Sequence, residues 1–161
     1  MSTPRFADAP AMHLVGIRRI HQFADIARDI GTQWAEFSAQ TAPLASPSSS
    51  VYGVIGGVDM TAQWMDYLCG IEVPSFGDAP ADLDRMLVPA SHYAVFDHTG
   101  HISELNGTWR VAMQWLNTNG AWHDAHTPPF ERYDARYDAA TGLGGCEIWL
   151  PVVDTIDQTD G

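Results

Sequence analysis

The sequence predicts an α+β domain made of two consecutive strand-helix-strand-strand units. Three observations carry that expectation. Apolar residues recur every three or four positions at Ile26, Ile30, Trp34 and Phe37, and again at Ile102, Leu105, Trp109, Ala112, Met113 and Leu116. That is the period of a helix with one buried face. Around each stripe lie short runs rich in β-branched and aromatic residues, bounded by Gly and Pro, which read as strands. Finally, Cys69-Gly70-Ile71-Glu72-Val73-Pro74 and Cys146-Glu147-Ile148-Trp149-Leu150-Pro151 share cysteine, isoleucine and proline in register, as an internal repeat would.

Taken in order, residues 1–11 read as a flexible arm and Met12 to Ile17 as the first strand. The first helix starts near Phe23 and ends before Pro43. Residues 44–50, rich in Ser and Pro, form a loop. Val51 to Ile55 is a strand ended by Gly56-Gly57, and a third strand runs from about Ala62 to Val73, stopped by Pro74. Asp78 to Leu87 connects the halves, with room for one helical turn. His92 to Phe96 is a strand closed by Gly100, and the second helix stops at Asn119-Gly120. A strand over Phe130 to Tyr137 follows Pro128-Pro129, Gly142 to Gly145 turn the chain, and the last strand begins at Cys146. The expected organisation is therefore one domain over about 12–153, with repeats over about 12–74 and 90–153, and a disordered acidic tail over 154–161.

Composition narrows the function. A 161-residue chain with 45% apolar residues can bury a real core. Its net charge of −12, with only 8 Lys and Arg, argues against direct nucleic-acid binding, which depends on cationic side chains. The same charge draws cationic solutes. No apolar run reaches the roughly 20 residues that span a bilayer, so no membrane association is expected. The first residues lack the pattern of a secretion signal. Two cysteines in apolar strands, Cys69 and Cys146, read as buried free thiols rather than a disulfide framework. A cytoplasmic location follows.

The last strand carries the residue that stands out. Side chains alternate along a strand, so Cys146, Ile148, Leu150 and Val152 share an apolar face while Glu147 and Trp149 share the other. A carboxylate buried alone is costly unless paired or neutralised. Glu147 is therefore expected to await a cationic partner from outside the chain, with a pKa raised by desolvation while it waits. Gly70, the counterpart of Glu147 in the first repeat, would open space across the seam if the halves pack about a pseudo-twofold; otherwise it marks a bulge. Indole and phenol faces attract cations, and Trp149, Tyr52, Trp64, Tyr67, Trp115, Phe130 and Tyr133 are the candidate cage. Tyr67 falls on the face opposite Gly70 unless a bulge turns it, whereas Trp64 shares the Gly70 face. Trp109, within the helix stripe, reads as core.

Other groupings carry less. His92, His98, His101 and Glu104, and likewise His123, Asp124 and His126, lack a spacing that makes metal ligands converge, and no metal or cofactor is expected. Nothing places Ser91 or Ser103 with a histidine and an aspartate, and no catalytic residues are assigned. Gly142, Gly144 and Gly145 precede a strand, not a helix, and so do not form a phosphate loop.

Several stretches stand in an order and spacing that resemble the GyrI-like small-molecule-binding domain, the effector-binding domain of AraC- and MerR-type multidrug-responsive regulators. They are Tyr52-Gly53-Val54, Asp66 to Val73, Tyr93 to Gly100, Trp115-Leu116, Pro129 to Asp134 and Glu147 to Val152. The resemblance covers nearly the whole chain from about Met12. It implies an antiparallel sheet with helices, two units related by a pseudo-twofold, and a ligand cleft between the halves. It also implies that cationic or amphiphilic aromatic compounds meet a buried glutamate of the last strand, which Glu147 matches by motif. One departure is Trp115-Leu116-Asn117-Thr118-Asn119-Gly120, where the family often has Trp-Leu-Pro. No helix-turn-helix segment precedes the domain, so a stand-alone small-molecule-binding protein is expected. Two alternatives stay open: a small hydrolase on the same scaffold using Glu147 with a tyrosine, and a protein-interaction module such as a gyrase modulator. A protein partner or a homodimer is left open too.

Overall fold

A computed structural model describes residues 3–43 and 50–156. The loop expected from residue 44 and the end of the acidic tail lie mostly outside the described residues. Among the described residues nine strands and two helices follow one another in the order β1 (Arg5–Ala9), β2 (Met12–Gln22), α1 (Ile26–Thr41), β3 (Val51–Asp59), β4 (Trp64–Val73), β5 (Asp84–Val88), β6 (Ser91–His98), α2 (Leu105–Thr118), β7 (Trp122–Asp124), β8 (Phe130–Tyr133) and β9 (Cys146–Asp154). Short 3₁₀ turns lead into both helices, at Phe23–Asp25 and Ile102–Glu104, and a third, Phe76–Asp78, follows β4. The class is α+β, as the sequence indicates.

The strands make one antiparallel sheet in the order β1-β6-β9-β8-β3-β4-β2-β5, with β7 on the end of β9. From the β8–β3 junction outward, the second half supplies β8, β9 and β6, and the first half supplies β3, β4 and β2. The outermost strand on each side comes from the other half. The stretch read as a flexible arm thus contains β1, paired from Arg5 with Val95 to Ala9 with Ser91. Its five residues alternate too little apolar character to announce a strand; tertiary pairing, not local pattern, orders them. β5 likewise falls in the stretch expected to be a connection, and it pairs with β2 from Met12↔Val88 to Gly16↔Asp84.

The sheet cannot be flat. β1 and β2 stand six places apart in it, about 29 Å at ~4.8 Å per strand. Yet only residues 10 and 11 join them, a reach of about 11 Å. Residues 89 and 90 impose the same closure on β5 and β6. The sheet therefore curls, and one cluster fills its inner face with residues from both ends of the order. Met12, Leu14 and Val88 come from one end and Tyr93 and Val95 from the other, with Leu68, Val54, Tyr52 and Phe130 between them. The helices cover the outer face. α1 packs on β2 and β4, and α2 on β6, β7 and β9, leaving the middle strands β3 and β8 beneath the gap between them.

Two local predictions change. Gly56-Gly57 does not end β3; the register slips between Ile55 and Gly57, so the pair marks a bulge and the strand continues to Asp59. The strand expected over Phe130 to Tyr137 stops at Tyr133. Beyond it the chain turns through Gly142, Gly144 and Gly145, whose φ angles of +70°, +83° and +62° favour glycine. Cys69 and Cys146 are buried free thiols on the outer face. Burial pushes the Cys146 thiol up to about 12. No helix among the described residues is long and apolar enough to cross a membrane.

Candidate functional site

Alternation along β8 sends Phe130 and Arg132 to the inner face and Glu131 and Tyr133 to the outer face, under the gap between the helices. Glu131 is only 7% exposed. Its Oε1 accepts hydrogen bonds from the Tyr67 and Tyr133 hydroxyls, each at 2.8 Å, and its Oε2 accepts one from the Trp109 indole N–H at 2.8 Å. The three donors arrive from three elements, β4, β8 and α2. Burial raises the Glu131 pKa above the usual carboxylate range, against the pull of these donors. Burial, then the Glu131 charge, in turn raise the pKa of Tyr67 and Tyr133.

α1 closes the other side. Gln33 is buried beneath the helix and donates its amide to the Ile17 and Tyr67 carbonyls at 2.8 and 2.9 Å, while its Oε1 lies 2.6 Å from His21 Nε2. A side chain tied to two strands fixes the helix over them. The next residue, Trp34, thereby sets its ring edge-on to Tyr133 at 5.3 Å and to Tyr67 at 6.2 Å. Trp34 and Trp109 are both half-buried. The result is a carboxylate ringed by two phenols and two indoles.

Gly53, opposite Glu131 in the β3–β8 ladder, leaves the room this ring needs. A Cβ there would stand 1.9 Å from Tyr67 Oη and 2.8 Å from Glu131 Oε1. Gly53→Ala is expected to break the Tyr67–Glu131 bond and to destabilise the protein by about 1–3 kcal/mol, the usual penalty of overpacking. Urea unfolding reads the loss; an unchanged midpoint would mean that the ring yields freely.

Glu147 behaves otherwise than expected. It is buried, and it shares a face with Trp149 as its strand parity dictates, but its counter-ions come from within the chain. Arg5 of β1 forms an ion pair with its Oε2, Arg132 of β8 lies 3.2 Å from its Oε1, and the Trp149 indole donates to Oε1 at 3.2 Å. Burial alone would raise its pKa. The Arg5 hydrogen bond, with Trp149 and Arg132, outweighs burial and holds the Glu147 carboxyl below the ordinary range. The raised pKa and the external cation expected for Glu147 are thus both corrected. The partner that the sequence does not announce, Arg5, sits on β1, within the stretch expected to be a flexible arm.

The remaining predicted residues divide. Tyr67 and Tyr133 converge on Glu131. Trp149 stacks on Phe130 at 5.6 Å and meets Tyr93 edge-on, and Tyr52 meets Phe130 edge-on, so these rings build the inner core instead of a cage around Glu147. Gly70 also faces inward, where a Cβ would lie 3.1 Å from Leu68 Cδ2 and 3.4 Å from Leu14 Cβ; it admits close core contact, not a cleft. Trp64 begins β4, paired with Gln22 and Asp59, at the far end of the strand from Cys69 and Ile71. Trp115 packs against Phe96 and Phe6 on the far side of α2. Among the described residues, no three His, Cys, Asp or Glu side chains gather to hold a metal ion; His98, for instance, is engaged by Thr108 and the His101 carbonyl.

Known proteins share this architecture. The structure of SAV2435 bound to tetraphenylphosphonium superposes with a TM-score of 0.75 at 17% identity, over 98% of this chain and 97% of that one. An integron cassette protein from the mobile metagenome of Vibrio cholerae gives 0.70 at 19%, over 94% and 96%. The C-terminal domain of EcmrR gives 0.65 at 19%, over 92% and 96%. These likenesses establish the GyrI-like effector-binding fold. No curated protein sequence matches the chain. The sequence profile of one family spans residues 6–152, from β1 through most of β9. The chain belongs to the Cass2 family of integron-associated effector-binding proteins.

Proposed function

We propose that this protein binds lipophilic aromatic cations between α1 and α2, with Glu131 as the counter-charge. Small-molecule binding follows from the family. That reading is carried by one observation: among the described residues Glu131, at 7% exposure, forms no ion pair and accepts hydrogen bonds from three neutral donors. That SAV2435 binds tetraphenylphosphonium supports the choice of ligand class.

The hydrogen-bond pattern also favours one kind of cation. Both Glu131 oxygens already accept bonds, so an incoming charge gains chiefly by Coulomb attraction and by contact with ring faces. A phosphonium or quaternary ammonium, which has no N–H to satisfy, suits such a site better than a primary amine, which would leave donors unpaired. Trp34 and Trp109 form the outer wall and must swing apart to admit a large ring system, a shift of population that the ligand itself stabilises.

Tryptophan fluorescence tests this. Tetraphenylphosphonium is expected to quench Trp34 and Trp109 saturably, with tighter binding than tetraphenylborate, its anionic counterpart of like shape. Equal binding of the two ions would remove Glu131 from the site. Single Trp34→Phe and Trp109→Phe variants assign the quenching.

A further inference from the structure

A concave region lies away from the helices, at one end of the strands. It is open to solvent, has a volume of about 600 Å³ between β2, β4, β3 and β8, and its walls include Arg132, Glu72, Tyr52, His13, Val73 and Pro74. The volume falls within the range of small-molecule sites, about 300–1,000 Å³. By strand parity Tyr52, Glu72 and Arg132 belong to the inner-face set, opposite in sense to Glu131, and none of Glu131, Tyr67, Tyr133, Trp34 and Trp109 is among the cavity walls.

Arg132 enters this cavity held from behind. One guanidinium nitrogen is 3.2 Å from Glu147, and the guanidinium lies near enough to the Tyr52 hydroxyl to oppose the rise that burial gives the Tyr52 pKa. Glu147 in turn is shared with Arg5, which also bonds Asp97 at 2.9 Å. A guanidinium carries five N–H donors in a rigid fork that fits a carboxylate. With its plane braced on one side, it presents the rest to the cavity at little further loss of freedom. Glu72, exposed on the neighbouring wall, supplies an acceptor of opposite sign.

The charge pattern selects the ligand. A simple anion would meet the field of a chain with net charge −12. A simple cation would meet Arg132. A molecule carrying both charges offers each wall its complement, while Val73, Pro74 and the Tyr52 ring leave apolar surface for a side chain. We propose that this cavity is a second binding site, for a zwitterionic amino acid or short peptide, with Arg132 taking the carboxylate and Glu72 the ammonium group.

L-leucine, 4-methylpentanoate and 3-methylbutylamine, which lack respectively neither charge, the ammonium and the carboxylate, separate the contributions. In NMR titrations followed at the Arg132 Nε and the amides of residues 72 and 73, leucine is expected to bind at least tenfold more tightly than either analogue. Glu72→Gln, an exposed and structurally mild change, is expected to make leucine and 4-methylpentanoate bind alike. Arg132→Lys keeps the charge beside Glu147 and loses the fork; it is expected to weaken leucine and 4-methylpentanoate but not the amine. Quenching by tetraphenylphosphonium should be the same with and without leucine. Absence of shifts at millimolar leucine, equal shifts with all three compounds, or competition with tetraphenylphosphonium would each overturn the proposal.

Discussion

Glu131→Gln is expected to weaken tetraphenylphosphonium binding by about 2–5 kcal/mol, the cost of removing one member of a desolvated charge pair. The amide keeps the shape of the carboxylate. Its oxygen still accepts from Tyr67 and Tyr133, and only the Trp109 indole N–H, now facing an amide N–H₂, loses its partner. One lost bond changes stability by about 1 kcal/mol, so the fold survives and the affinity loss can be read cleanly. Protonation gives a second signature. Because burial raises the Glu131 pKa in the empty site and a cation favours the ionised form, binding must release protons. Affinity climbs as pH rises from the ordinary carboxylate range through the raised pKa, then levels off. Calorimetry in two buffers of different ionisation enthalpy measures the release, which Glu131→Gln abolishes. A pH-independent affinity in the wild type would refute the assignment. Glu147→Gln, on the other face of the sheet, should leave the affinity unchanged.

Replacing both Arg5 and Arg132 by Met is expected to destabilise the protein by about 3–5 kcal/mol, because Glu147 then stays buried without a counter-ion. Methionine keeps most of the apolar stem, so the loss is mainly electrostatic. Adding Glu147→Gln should restore most of the stability, which a volume effect would not do. The pH dependence should reverse as well. In the wild type, Glu147 has a depressed folded pKa. Its contribution is present above the unfolded range and is lost as pH falls through the folded value. In the double variant its pKa rises instead, and acidification restores stability. Denaturant unfolding at several pH values distinguishes the two slopes. An unchanged midpoint in the double variant would show that the arginines contribute nothing.

The two glutamates show what sequence pattern could and could not resolve. Strand alternation correctly paired Glu147 with Trp149 on one face, and the same rule applied to β8 pairs Glu131 with Tyr133. That signal was present in Phe130-Glu131-Arg132-Tyr133. It was obscured because Glu131 beside Arg132 looks like the polar side of an exposed strand, whereas the curled sheet buries both sides. Which carboxylate has a partner is a matter of long-range pairing. Arg5 reaches Glu147 across 142 positions, through a strand whose own sequence scarcely marks it. The periodicity of α2 places Trp109 in the apolar stripe, and the structure agrees. Periodicity reports which side of a helix turns inward, not whether a carboxylate waits there for the indole N–H. The helices, most strands and the fold class were legible because they depend on local apolar spacing. The edge strands β1 and β5 were not, because each is ordered by a neighbour from the opposite half.

That exchange of edges has a further consequence. β1 belongs to the first half and pairs with β6, and β5 leads into the second half and pairs with β2. Neither half owns a complete border, much as two hands clasped by their fingers share one grip. A fragment containing only one unit would expose a raw hydrogen-bonding seam and half an apolar interior. The molecule is therefore expected to melt as a whole, and the ring of donors around Glu131, drawn from β4, β8 and α2, exists only while the clasp is closed.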